Sequence, residues 1–200
     1  MSTSFSREYL AETTAILDAL DPEAIDAVAA GLAAVRDEGR LFVLGVGGSA
    51  AHASHAVNDF RKICEFEAYT PTDNAAELTA RINDEGWDDS FAAWLRGSRL
   101  GPGDALLVFS VGGGDVERNI SPNLVRALDL ARARDARIYG IVGRDGGHTA
   151  AVADACVVIP PLVADRITPH TEGLCAVVWH LLVSHPLLAR ASTKWESSSR

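Results

Sequence analysis

Cysteine is scarce in this chain: Cys64, Cys156 and Cys175 are odd in number and form no CxxC pair. That argues against a disulfide framework or a cysteine-built zinc knuckle and fits a reducing compartment, so the cytoplasm is the expected location. No apolar run reaches the length of a membrane span, and the polar start MSTSFSREYL does not read as a signal peptide. No basic run offsets the net charge of −9, which argues against unspecific binding to nucleic acid or to an anionic membrane. Any phosphate ligand must therefore be held by local geometry against an unfavourable long-range field. Internal repeats, low-complexity blocks and linkers are also missing, so residues 1–200 are expected to form one domain. Its N-terminal part, 1–38, reads as helices suited to a subunit interface, and 187–200 as a loosely ordered tail.

The chain is organised around Arg40 to Asp59, RLFVLGVGGSAAHASHAVND. Leu41 to Leu44 form a short continuous apolar run, as a strand buried on both faces of a parallel sheet requires. Gly45, Gly47 and Gly48 allow a sharp turn, Ser49 is a candidate N-cap, and Ala50 to Phe60 reads as helix. Such a junction directs backbone N–H groups and a helix dipole at one spot, a place for an anion or a polarised oxygen. His55 and Asp59 are spaced i and i+4 and so share one helix face.

The remaining elements follow from periodicity and punctuation. Two amphipathic helices precede the first strand, the second opened by Asp21-Pro22 as cap and first helical position. A short strand is expected at Glu67–Thr70, helices at 75–82 and 87–96, and a buried strand at 105–110. A helix opened by Ser121-Pro122, strands at 138–142 and 155–159, and a last helix from His170 or Thr171 to Ser184 complete the pattern. Strands alternating with helices indicate an α/β fold with a doubly wound parallel sheet. In such sheets ligands bind outside the carboxyl ends of the strands, which makes 45–49, 110–115 and 143–147 candidate site walls.

Gly45 to Ala50 formally satisfies GxGxxA, the dinucleotide fingerprint, but no acidic residue stands clearly at the end of the next strand. A nicotinamide-dependent oxidoreductase and a glycine turn serving only strand-to-helix packing both remain open from these residues.

Taken together, LGVGGSAAHASHAVND, VFSVGGGD, IVGRDGG and the late ADRI…E…H segment resemble the sugar isomerase (SIS) domain family. Within it they are most similar to the phosphoheptose isomerases, which interconvert sedoheptulose 7-phosphate and a heptose 7-phosphate. The resemblance implies a three-layer α/β/α sandwich with a five-stranded parallel sheet, and a homotetramer with sites at subunit interfaces. It also implies an aldose–ketose isomerase working through an enediolate. The family's GNGGS loop falls on Gly45 to Ser49, with Val46 in place of asparagine; its helix histidine falls on His55 and its catalytic glutamate on Asp59. Two active-site aspartates match Asp84 and Asp165, the late glutamine matches Glu172, and the late catalytic histidine matches His180. In zinc-containing members the ligands are the residues matching His55, Asp59, Glu172 and His180. The family's STSGNS phosphate loop becomes Ser110-Val111-Gly112-Gly113-Gly114-Asp115, keeping only the first serine.

On this reading Asp59 and His180 are the acid–base pair. Gly47, Gly48, Ser49, Asp84, Ser110, Gly112, Gly113, Asp115, Asp165 and Glu172 bind the sugar phosphate. Two imidazoles and two carboxylates also suit a divalent ion, zinc above all. Glu172 and His180 lie roughly 12 Å apart on an ideal helix, so sharing one ion requires an irregular helix start, which Pro169 and Gly173 would supply. Asp115 would face a phosphate dianion, with Arg118, Arg144 or a metal as compensation; otherwise it meets sugar hydroxyls or an amine. A non-catalytic SIS module that senses or scaffolds, and an isomerase for a different sugar, are the alternatives. His148 and His170 are expected at the surface or in loops, with no role.

Overall fold

The computed structural model describes residues 4–194. Five parallel strands, β1 (Arg40–Leu44), β2 (Glu67–Tyr69), β3 (Ala105–Ser110), β4 (Arg137–Val142) and β5 (Ala155–Val158), form one sheet in the order β2-β1-β3-β4-β5. Eight helices cover it: α1 (Phe5–Asp18), α2 (Pro22–Val35), α3 (Gly48–Cys64), α4 (Ala75–Glu85), α5 (Ser90–Gly97), α6 (Pro122–Ala133), α7 (Gly147–Val152) and α8 (Ile167–Ser184). The strand order reverses between β1 and β3, which places the topological switch point there.

The period of two along each strand sorts the core into two layers. Leu41, Val43, Leu107, Phe109 and Ile141 face α2, α3 and α8, whereas Phe42, Leu44, Leu106, Val108 and Ile138 face α5 and α6. The strands read as unbroken apolar runs because both faces are covered, and the expected three-layer sandwich is what forms.

Most boundaries fall where the punctuation puts them. Asp21 accepts hydrogen bonds from the N–H groups of Glu23 and Ala24, and Pro22 occupies the first helical position. Four expectations need correction. Ser49 is not the N-cap: Gly47 is, so α3 begins at Gly48 and Ser49 lies buried inside its first turn. Helix α4 runs through Asn83 and Asp84 and stops only at Gly86. Helix α8 begins at Ile167 and accommodates Pro169 in its first turn, where the missing N–H has no intrahelical acceptor to lose. The segment after α8 is partly docked: Leu188 is buried, and the N–H groups of Arg190 and Ala191 both donate to the Ile63 carbonyl. Residues 195–200 of the expected tail lie outside the described residues.

At the opposite end of the sheet from the switch-point loops, buried Asp104 ties two strands together. Its carboxylate accepts from the Arg40 N–H at 3.0 Å, from the Arg40 guanidinium at 2.8 and 3.1 Å, and from the Gly101 N–H at 2.9 Å. The carboxylate beside Arg40 holds that guanidinium above its ordinary pKa. Asp104→Ala leaves a part-buried donor set without its acceptor and is expected to cost about 1–3 kcal/mol, read from the urea midpoint.

Candidate functional site

A cleft of about 860 Å³ opens at the carboxyl ends of β1, β3 and β4, with Ser49, Ser110, Gly112, Asp115, Arg144 and Glu172 among its walls. Its floor exists because two glycine loops interlock. A Cβ on Gly113 would fall 1.9 Å from the Gly146 carbonyl oxygen, and one on Gly147 would fall 2.2 Å from that of Gly112. Both residues also hold positive φ, so side chains are excluded twice over. Thr149 fastens the contact from below: its N–H and Oγ1 both donate to the Gly113 carbonyl. Ser110, the retained hydroxyl, is engaged as well, accepting from the Gly113 N–H at 3.0 Å.

Asp115 does not stand as a bare charge over this floor. It pairs with Ile120 through two backbone hydrogen bonds, and its carboxylate accepts from the Arg118 N–H at 2.9 Å with the Arg118 guanidinium 3.7 Å away. The aspartate therefore closes a turn and carries its own counter-charge.

A second constellation lies further along α3 and α8, which run side by side. His55, Asp59 and His180 each offer a ligand atom within 4.8 Å of the others. The Asp59 Oδ2 atom is 3.6 Å from His55 Nε2 and 4.0 Å from His180 Nε2. Those gaps lie inside the ~4.2 Å that two metal–ligand bonds of ~2.1 Å can span, so the donor set fits a zinc-sized ion with an open position. Asp59 is 14% exposed between two imidazoles that are each about half exposed. His180 Nδ1 lies 2.7 Å from the Ala176 carbonyl. A carbonyl can only accept, so Nδ1 carries the proton and the Nε2 lone pair is free to face Asp59.

Beneath both imidazoles lies Trp179. It is fully buried, stacked on His180 at 3.5 Å between ring centroids and edge-on to His55 at 4.8 Å. Sequence reasoning passed over this residue, because a tryptophan inside VVWHLLV carries the same pattern as any core position.

Glu172 is not part of the three-residue group. Because α8 is regular from Ile167 onward, its carboxylate stays near the start of α3, where a Cβ on Gly48 would meet Oε1 at 2.6 Å. Glu172 thus lines the cleft, while the other three expected ligands sit in the groove between α3 and α8. Asp84 is exposed on α4, Asp165 is exposed on the 3₁₀ turn before α8, and neither lines the cleft; nor do Gly47, Gly48 and Gly113. The three thiols offer no nucleophile: all are free, and burial pushes each up to about 12.

Both histidines set aside in the sequence have partners. His148 lines the cleft with Nε2 2.9 Å from Asp129. His170 is buried on α8, 3.0 Å from the Glu12 carboxylate and stacked on Tyr9 at 4.4 Å. Arg166 reaches the same carboxylate at 2.9 Å, so α1 is clamped onto the start of α8, one turn before Glu172. Hydrogen bonds from Arg166 and then His170 hold Glu12 down to about 2. A depressed carboxylate pKa stabilises the fold above its ordinary value near 4.5 and loses that contribution as pH falls toward 2. Wild-type melting temperature is therefore expected to drop more steeply than that of Glu12→Gln over pH 4.5 to 2.

Residues 8–143 match the family described as SIS domain. The phosphoheptose isomerase of Rhodospirillum rubrum is 31% identical over 166 residues, covering 80% of this chain and 82% of that one. The lincomycin biosynthesis protein LmbN of Streptomyces lincolnensis is 33% identical over 158 residues, 74% of this chain and 56% of that protein. Among solved structures, phosphoheptose isomerase GmhA from Neisseria gonorrhoeae superposes with a TM-score of 0.78 at 25% identity, over 90% of this chain and 96% of that one. With the sheet order, the glycine-loop cleft and the matched length all in agreement, the chain belongs to the SIS domain family, has the phosphoheptose isomerases as relatives, and is an isomerase.

Proposed function

We propose that the chain is an aldose–ketose isomerase of a seven-carbon sugar phosphate, converting sedoheptulose 7-phosphate to a heptose 7-phosphate. The observation that carries this reading is the meeting of His55, Asp59 and His180 where α3 packs against α8. His55 lies six positions after Ser49, roughly 9 Å along a helix, and Asp59 one turn further, so an extended sugar phosphate held at the glycine loops points its far end at this group.

Isomerisation moves a proton between adjacent carbons through an enediolate, which needs a base, an acid and positive charge at the oxygen. Asp59 is the base, its carboxylate oriented between two imidazoles. His180 is the partner that delivers or removes the proton at the oxygen, since its Nδ1–H is held by Ala176 and its Nε2 is free. Compared with the family's glutamate, Asp59 is shorter by one methylene, which places the reacting carbons closer to α3. Zinc held by His55, Asp59 and His180 would polarise the carbonyl oxygen in place of an imidazole proton, because a metal on His180 Nε2 takes the lone pair that proton transfer needs. Glu172, at the cleft end of α8, serves the sugar hydroxyls as acceptor.

The exposed apolar residues Phe5, Leu10 and Leu17 on α1 and Val177 and Leu181 on α8 support a homotetramer whose interfaces cover these faces and border the site. No helix among the described residues is long and apolar enough to cross a membrane. That agrees with a cytoplasmic enzyme. The test is elemental analysis of the purified protein combined with a sedoheptulose 7-phosphate isomerisation assay. About one zinc per chain is expected, with turnover lost on chelation and restored by zinc. A fully metal-loaded protein that leaves the sugar unchanged would refute the assignment.

A further inference from the structure

The cleft has three places where a phosphoryl group could be gripped, and two of them are already taken. At the N-terminus of α3, where helix-end N–H groups would favour an anion, the Glu172 carboxylate stands against Gly48 and repels a second negative charge. Arg118 also lines the cleft, but it is committed to Asp115, which accepts from its N–H and stands 3.7 Å from its guanidinium. The third place is the junction of the two glycine loops. There Arg144 lines the cleft with its aliphatic stem over Gly112, whose Cβ would lie 3.5 Å from Arg144 Cδ. Its guanidinium has no ion-pair or hydrogen-bond partner among the described residues. Its backbone is held at φ 53° on the turn after β4, a conformation uncommon for arginine. Beside it, the N–H groups of Gly112 and Gly114 find no acceptor among the described residues, while the Gly113 N–H between them goes to Ser110 Oγ; the two free amides are open to an anion.

Resting on the isomerase reading above, we propose that Arg144, with the Gly112 and Gly114 amides, grips the substrate's phosphoryl group in place of the hydroxyls this loop lacks. A guanidinium meets a phosphate with two parallel N–H···O bonds, which offsets the acidic residues Glu117, Asp145 and Glu172 that share the cleft. Arg144 is therefore a specificity residue: it selects phosphorylated over free sugars and takes no part in proton transfer.

The experiment compares wild type, Arg144→Gln, Arg144→Asn and Arg144→Lys in two measurements: KM and kcat with sedoheptulose 7-phosphate, and calorimetric binding of inorganic phosphate. The asparagine variant suits the left-handed turn, so a folding defect in the glutamine variant does not decide the matter. Both neutral variants should raise KM and weaken phosphate binding about 10- to 100-fold, with kcat changed less than about threefold. Lysine should recover part of the loss. Unchanged KM and unchanged phosphate affinity in both neutral variants would overturn the assignment while leaving the isomerase reading intact. Phosphate binding that depends on Arg144 in a protein that does not turn over the sugar would support the grip and refute the isomerase.

Discussion

His180→Ala should lower kcat for sedoheptulose 7-phosphate by about 10²- to 10⁴-fold, the range that a positioned acid–base group supplies. Melting temperature should change little, because the imidazole is half exposed and its hydrogen bond from Nδ1 to the Ala176 carbonyl runs within its own helix turn. Asp59→Asn should do the same to kcat, and the double variant should be little worse than either single one, since the two residues serve one proton-transfer unit. Steady-state kinetics on the three variants, alongside thermal melts, checks this. Near-additive losses would mean that the two side chains act in separate places.

The second large effect is on stability. Trp179→Ala should destabilise the fold by about 3–5 kcal/mol, because a fully buried indole leaves a cavity that the packed α3–α8 pair cannot close. Trp179→Phe should cost well under half of that. The indole Nε1 is buried without a hydrogen-bond partner among the described residues, so phenylalanine removes a desolvated donor and orphans nothing. The phenyl ring also keeps a surface beneath His55 and His180, so the variant should stay active. Chemical denaturation of the two variants separates lost volume from lost polarity.

How far each part of this was legible depended on the range of the interaction behind it. The strands declared themselves because Leu41–Leu44 and Ala105–Ser110 are buried on both faces, and such runs have few other uses. Helix starts were legible where a side chain caps, as at Asp21, and illegible at α3, where glycine opens the helix and the nearby serine misleads. His55 and Asp59 could be paired from spacing alone, since i and i+4 share a face. Their meeting with His180 could not: that contact depends on how α3 and α8 pack, and only the resemblance to a family supplied it. The same packing explains the correction at Glu172. Spacing along α8 already set it about 12 Å from His180, and the helix starts too regularly to bring it back. His170 went unrecognised because its burial is decided by a distant partner, Glu12, and Trp179 because a tryptophan in an apolar helical run reads as an ordinary core position.

The reading of Asp115 changed for a local reason. Taken alone, an aspartate in a phosphate loop argues against phosphate. Its turn to Ile120 and its pairing with Arg118 remove most of that objection, and they leave Arg144 as the cation facing the cleft without a partner of its own among the described residues.

Everything functional depends on proton transfer between neighbouring sugar carbons at the groove of α3 and α8, and solvent isotope incorporation reads that step most directly. In deuterium oxide, the wild-type enzyme acting on sedoheptulose 7-phosphate should yield an aldose carrying deuterium at the carbon beside the carbonyl, and His180→Ala should form it at least a hundredfold more slowly. Aldose formed without deuterium, and equally fast in the variant, would contradict the account.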